Sequence, residues 1–429
     1  MTSSETKNSS GFDRFDLHPK LVRGIREAGF ETPRPIQAAA MPAALEGRDV
    51  LGLAQTGTGK TAAFALPILD VLLDEPLPGP TALVLAPTRE LATQIDAEIR
   101  LLARFTQIKT ATIFGGVSQG KQVAELRRRP EIVVGCPGRV LDLIQQKRLR
   151  LDQVDMLVLD EADHMFDMGF LPDVRRILAA LPRDRQNLLF SATMPKEIRG
   201  LASEILDDPH VVELAHTAPA ETIEHALYPV AEGRKRALLD KVLAEEGCDT
   251  AIVFTRTKHR ARRLAQQLTK AGHRAIGLQG NMSQPQRDRA MRGFRERRFD
   301  ILVATDIVAR GIDVSGVSHV INFDVPNTPE AYTHRIGRTG RSEQEGKACT
   351  FVTPDDRAWV RATERMIGSE IPRVALAGFE DAADAAGSSR RDAGRRSGIG
   401  GGRSARSGAR RGSSRRSARG RGQSRSQAR

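Results

Sequence analysis

Short apolar runs recur along this chain at close intervals. Val, Leu and Ile crowd residues 48–54, 81–86, 110–114, 131–135, 154–160 and 186–191. These runs are too short for ordinary helices and too uniformly apolar for strands with one wet face. Between most of them lie segments of helical periodicity, 89–103 and 195–206 among them. Strands alternating with helices predict a parallel sheet covered on both faces. The pattern then restarts at 250–255, 274–279, 300–304, 318–324 and 347–353. The small polar stretch "ELAHTAPAET" (213–222) separates the two sets and reads as a hinge. Near the start, "LHPKLVRGIREAGF" has apolar residues at helical spacing and is expected to pack on the first domain. The expected class is α/β, with domains at 12–212 and 223–370. A disordered N-terminus (1–11) and a disordered tail (371–429) flank them, the tail rich in Arg, Gly and Ser from about residue 387.

Composition fits this division. The 429 residues suit two domains plus extras, and 40% apolar content can fill two cores. No apolar run nears the roughly 18 residues that span a bilayer. The polar start "MTSSETKNSS" lacks a signal region, so the expected location is cytoplasmic, with no membrane partner. Cys136, Cys248 and Cys349 lie far apart, in neither a metal-ligand spacing nor a disulfide framework. Charge is the uneven property. Residues 390–429 hold 14 arginines and one acid, a net +13 that equals the whole chain's excess. Such a segment cannot bury enough surface to offset ordering entropy. It is either an inert linker or an arm that pairs guanidinium groups with phosphates whatever the sequence.

The stretch "AQTGTGKT" (54–61) carries the first chemistry. A phosphate loop aims backbone N–H groups at an anion from the start of a helix. Here Ala54 takes the position where the strict pattern has glycine. Gln55, Thr56, Gly57, Thr58 and Gly59 form the turn. Lys60 is placed to reach the β- and γ-phosphates and Thr61 to offer a hydroxyl to Mg²⁺. Such a loop needs an acid at the end of a neighbouring strand. The run ending "VLDEAD" supplies Asp160, expected to hold Mg²⁺ through water, and Glu161, placed to polarise an attacking water.

The letters D-E-A-D, with the loop before them, make the chain resemble the DEAD-box family of ATP-dependent RNA helicases from about Phe12 to Thr353. The resemblance implies two RecA-like domains, ATP and Mg²⁺ as cofactors, and RNA as partner. "GFETPRPIQ" (29–37) looks like the family's adenine-reading motif, with Gln37 at the adenine edge and Phe12 stacking. In the family's phosphate loop the alanine is the expected form. By the same resemblance, Pro87 and Arg89 of "PTREL", Gly116 of "GG", and Pro137, Gly138 and Arg139 of "CPGR" would contact the RNA backbone. So would Gly280 and Thr305 in the second domain. Ser191 and Thr193 of "SAT", with Asp163 and His334, would couple the ATP and RNA sites. Arg338 and Arg341 of "HRIGRTGR" resemble arginine fingers, and Asp313 of "ATDIVARGID" a ribose contact. Two positions depart from the family pattern. Cys136 replaces a usual Thr and would forgo a hydroxyl contact to RNA. Arg34 replaces a common Thr and is expected to point outward with little effect.

The implied activity is RNA-stimulated ATP hydrolysis. Coupled to closure of the two domains, it would unwind short duplexes or remodel RNA–protein complexes, among them ribosome-assembly or RNA-decay complexes. Two other readings stand beside it: an ATP-gated RNA clamp, which shares every motif, and a DNA translocase of the same broad superfamily. The adenine motif and the D-E-A-D form disfavour the translocase. A strand-displacement assay separates the clamp.

Overall fold

A computed structural model describes residues 11–55, 57–74, 79–214, 223–245, 247–306, 317–340, 345–376 and 378–379. The sequence motifs at Thr56, Asp313 and Arg341, most of the expected hinge and the Arg-rich tail lie outside these residues.

The first half forms seven strands: β1 (Val50–Leu53), β2 (Ala82–Leu85), β3 (Thr110–Ile113), β4 (Ile132–Gly135), β5 (Met156–Leu159), β6 (Gln186–Ser191) and β7 (His210–Glu213). They pair in the order β3-β4-β2-β5-β6-β1-β7, every pair parallel. Among the described residues nine α-helices accompany them: α1 (Pro19–Glu27), α2 (Pro35–Leu45), α3 (Lys60–Asp74), α4 (Arg89–Leu102), α5 (Gln119–Leu126), α6 (Pro137–Gln145), α7 (Ala162–Asp167), α8 (Leu171–Leu178) and α9 (Lys196–Ile205). Alternate strand residues feed two cores, one on each face. Val50, Ala82 and Val84 enter one, and Leu51, Leu83 and Leu85 the other. That double burial is why these strands read as unbroken apolar runs. The segment before the adenine motif does pack on this domain. Gly24 of α1 lies so close to α4 that a Cβ there would sit 2.1 Å from the Leu102 carbonyl oxygen.

The second half repeats the plan with β8 (Ile223–Pro229), β9 (Ala251–Phe254), β10 (Ala275–Leu278), β11 (Ile301–Ala304), β12 (His319–Asn322) and β13 (Gly346–Val352). The order is β10-β11-β9-β12-β13-β8, again all parallel. Its described helices are α10 (Lys235–Leu243), α11 (Lys258–Lys270), α12 (Gln284–Arg295), α13 (Pro329–Ile336) and α14 (Arg357–Ile367). Ile252 and Phe254 face one core, Ala251 and Val253 the other.

Strands β7 and β8 have no counterpart among the predicted runs. Both lie on sheet edges, where one side of the strand meets no partner strand and polar residues are tolerated. Their sequences, "HVVE" and "IEHALYP", accordingly mix polar with apolar positions. Glu213, read as the first hinge residue, instead ends β7, paired with Leu53 of β1. Among the described residues no helix is long and apolar enough to cross a membrane.

Candidate functional site

The strand order places the motifs. Every strand of the first sheet runs the same way, so all the segments that follow the strands emerge along one edge. The neighbours β1, β6 and β5 release the phosphate loop, "SAT" and "DEAD" side by side. The neighbours β3, β4 and β2 release "GG", "CPGR" and "PTREL" on the other half of that edge.

Gly57 and Gly59 adopt φ values of +88° and +93°, which only glycine reaches cheaply, and α3 starts at Lys60. Thr58 donates to the Gln55 carbonyl (2.8 Å). Lys60 is buried. Its Nζ donates to the Ala54 carbonyl at 3.0 Å and lies 3.9 Å from Asp160 Oδ1. Thr61 follows it on the first turn of α3, half-buried.

Gln37 ties the adenine motif to this loop. Its Oε1 accepts from the Arg34 N–H (2.8 Å), and its Nε2 donates to the Gly59 carbonyl (3.0 Å). A primary amide has two donors and two acceptor lone pairs, so one of each remains for a purine edge. Phe12 is buried against Phe15 and Phe30, with ring centroids 6.0 and 6.2 Å away. Arg34 corrects the sequence reading. Its side chain is exposed, yet it folds onto the phosphate loop and donates from Nη1 to the Gly57 carbonyl at 2.7 Å.

Asp160 and Glu161 are both buried at the end of β5. Burial raises the Asp160 carboxyl above the usual range, the Lys60 charge opposes that, and the neighbouring Glu161 adds to it. For Glu161, burial is the largest influence and acts upward. It is outweighed by the hydrogen bond with His164 and by the neighbouring charges of Lys60 and Arg338, which hold this carboxyl below its ordinary value. His164 Nδ1 lies 2.9 Å from Glu161 Oε2, and both side chains are buried. The sequence reading gave His164 no role, because a single histidine after the acid quartet carries no pattern.

Asp163 joins this edge to "SAT". Its Oδ2 accepts from the backbone N–H and the hydroxyl of Thr193 (2.9 and 2.8 Å), while its own N–H donates to Ser191 Oγ (3.2 Å). Ser191 Oγ in turn donates to the Thr193 carbonyl (2.8 Å).

On the other half of the edge, Arg89 spreads over Gly116. A Cβ at Gly116, where φ is +76°, would sit 2.1 Å from Arg89 Nη1. Pro87 and Pro137 are buried, and Gly138 is exposed at the start of α6. Cys136 is buried, which pushes its thiol up to about 12. Arg287 of α12, in the second half of the chain, reaches this cluster. Its Nη2 lies 2.7 Å from Glu90 Oε1, with both side chains about nine-tenths buried. The pair is close but off the line of a hydrogen bond. Arg287 Nε and Arg139 Nη1 are buried without a hydrogen-bond partner among the described residues. Nothing in the sequence "QPQR" (284–287) points its arginine at Glu90.

The second sheet contributes Thr305, buried after β11, and Gly280, exposed after β10. His334 and Arg335 sit on the last turn of α13, and Arg338 is buried just beyond it. Arg335 serves its own domain. It holds Asp306 through two nitrogens (2.5 and 2.7 Å) and donates to Asn322 and to the Asp324 carbonyl. The Arg338 charge is among those that hold the Glu161 carboxyl down.

Two tandem parallel sheets, with a phosphate loop and acid pair on the edge of one, describe a nucleoside triphosphatase of the RecA-like, two-domain kind. A DEAD/DEAH box helicase family model matches residues 34–201, and a helicase conserved C-terminal domain model matches residues 234–343. The chain is 44% identical over 354 residues to the ATP-dependent RNA helicase CshA of Listeria monocytogenes, covering 82% of this chain and 68% of that one. It superposes on S. cerevisiae Dbp5 bound to RNA and ADP BeF3 with a TM-score of 0.78 and 34% identity, covering 87% of this chain and 97% of that one. Mss116p bound to ssRNA and AMP-PNP also gives a TM-score of 0.78, at 26% identity, over 90% and 83% of the two chains. The chain belongs to the DEAD-box family: it is an ATP-dependent RNA helicase, CshA-like, that binds ATP and RNA.

Proposed function

We infer that hydrolysis in this chain waits for the two domains to close on a single RNA strand, and that closure unwinds short duplexes locally or remodels RNA–protein complexes. The observation that carries the reading is the buried contact between the two halves, Arg287 of α12 at 2.7 Å from Glu90 of α4, with the Arg338 charge also acting on Glu161. Charge on a transferring γ-phosphoryl group is best stabilised by an added arginine, worth roughly 10³–10⁵ in rate. With that arginine on the other domain, the site is complete only in the closed form. Lys60 and the loop N–H groups hold the β- and γ-phosphates, and Gln37 with Phe12 holds the base. Asp313 and Arg341 take the ribose and the second finger position.

Mg²⁺ fits the residues present. Asp160 is a buried carboxylate 3.9 Å from the Lys60 ammonium, and Thr61 follows Lys60 on the first turn of α3. Among the described residues no cluster of three or more potential ligands forms a protein cage, which suits an ion that leans on phosphate and water. When bound, it would neutralise phosphate charge. Glu161, held ionised by its basic neighbours, accepts a proton from the attacking water, and His164 fixes its orientation.

Arg89, Arg139 and Gly116, with the backbone at Pro137 and Gly138, hold phosphates of the RNA on the first domain. Gly280 and Thr305 do so on the second. The buried donors of Arg139 and Arg287 support this, since such groups seek acceptors and phosphate oxygens supply them. Asp163, Ser191, Thr193 and His334 link this half to the ATP half. The Arg-rich tail adds sequence-tolerant affinity. The setting is cytoplasmic, and ribosome-assembly or RNA-decay complexes are the fitting partners.

The test is Glu161→Gln. It keeps the shape and the phosphate contacts but removes the proton acceptor. ATP and RNA should still bind while turnover collapses by at least a hundredfold. Near-normal RNA-stimulated hydrolysis in this variant would overturn the assignment.

A further inference from the structure

A groove of about 970 Å³ runs along the outer edge of the second sheet, between α11 and α12, away from the residues assigned to ATP. Its floor is β10, the edge strand. The opposite edge of the same sheet is covered. Leu227 of β8 exchanges backbone hydrogen bonds with Pro372 and Val374 (2.8 and 2.9 Å). No described residue covers β10 in this way. On this strand the Arg274 carbonyl accepts from the Ile301 N–H of β11 (3.2 Å). Alternation then turns Ile276 and Leu278 toward β11, and Ala275 and Gly277 outward. The outward groups of Ala275 are used, by the His273 carbonyl (2.9 Å) and the Thr269 hydroxyl (3.2 Å). Those of Gly277 point into the groove.

The two walls differ. On α11, Lys258, Arg262 and Lys270 lie on one row of i+4 spacing, with Gln266 between. Arg289 adds a fourth positive charge from α12, and no acid lines the groove. Arg262, Lys270 and Arg289 are exposed and make no ion pair or hydrogen bond among the described residues. The α12 side is apolar near the floor, with Ile276, Met282 and Phe299 half-buried there.

We propose that this groove is a docking site for an extended, acidic segment of a partner protein, which adds as a strand to β10. Cations one helical step apart in this row are separated by about 6 Å along the helix. Alternate residues of a strand are separated by about 6.6 Å. A segment with Asp or Glu at every second position therefore sets its acids against the α11 row. Its intervening apolar side chains fall against Ile276, Met282 and Phe299. Backbone hydrogen bonds to Gly277 give affinity, and the alternation gives specificity. Single-stranded RNA suits the charge but not the floor. Strand binding of that kind uses several aromatic platforms for the bases, whereas here Phe299 is packed against Gly293 and the His259 imidazole is the one ring left exposed on the walls. The Arg-rich segment 390–429 has the same sign of charge as the groove and does not match it.

The test uses the full chain and a fluorescein-labelled decapeptide alternating Val or Ile with Asp or Glu. A second peptide of the same composition, with its acids in one block, controls for attraction to the basic tail. The alternating peptide should bind at least tenfold tighter than the block peptide. It should slow hydrogen exchange at the Gly277 amide. Arg262→Glu with Lys270→Glu should weaken it at least tenfold while RNA-stimulated ATP hydrolysis stays unchanged. Equal affinity of the two peptides, unchanged exchange at Gly277, or an unaltered affinity in the double variant would overturn the proposal. So would displacement of the peptide by a uridine oligomer together with loss of RNA affinity in the variant, which would make the groove part of the RNA track.

Discussion

At the residue scale, Arg34 gives the sharpest contrast between sequence and structure. A motif comparison sets it at a position where Thr is common, between two prolines, and nothing local says where its side chain goes. The answer depends on Gly57, more than twenty residues further on, whose carbonyl it meets at 2.7 Å. Lys60, Asp160 and Glu161 were legible because their chemistry is fixed by spacing. Arg34 and His164 were not, because each acts through one contact that only the folded loop provides. Arg34 joins the adenine segment to the phosphate loop and adds a positive charge beside the phosphates. Arg34→Thr should therefore weaken ATP binding about three- to tenfold and leave kcat at saturating ATP nearly unchanged. A charge-assisted hydrogen bond is worth about 1.5–3 kcal/mol when shielded, and exposure of this side chain calls for a value at or below that range. Arg34→Lys should recover part of the loss. Titration of a fluorescent ATP analogue against the three proteins checks this. Equal affinities would show that the contact plays no part in binding.

At the scale of elements, parallel pairing does most of the positioning. Because β1, β6 and β5 are neighbours, the loop, "SAT" and "DEAD" needed no long-range accident to meet. The central strands were legible from their runs because both faces are buried. The edge strands β7 and β8 were not, since half-exposed strands mix residue types. What strand patterns could not give is which helices meet across the two sheets. The contact between α4 and α12, through Glu90 and Arg287, is of that kind. Removing one partner of a buried ion pair costs about 3–5 kcal/mol. Here that cost falls on the arrangement in which the helices touch, since each sheet keeps its own core. Arg287→Gln should lower RNA-stimulated hydrolysis at least tenfold while ATP affinity without RNA stays within twofold of the parent. Steady-state rates with saturating RNA, beside ATP titrations without it, decide this. Undiminished stimulation would show that the pair does not bear on closure.

Across the whole molecule, the folded region is electrically balanced and the excess of +13 lies in residues 390–429. On the proposed function the tail adds affinity and the two sheets carry the coupling. One parallel sheet holds the acids and the other carries Arg338; on the proposed mechanism nucleotide and RNA favour the same closed state. Two ligands that share one favoured state must strengthen each other by the same factor, typically 5–150-fold. The most direct test measures all four affinities of the full chain: a uridine oligomer with and without a non-hydrolysable ATP analogue, and the analogue with and without the oligomer. The account predicts that each ligand tightens the other at least fivefold, by equal factors, and that Arg338→Ala shrinks both factors together. Affinities that are independent of the other ligand would contradict it.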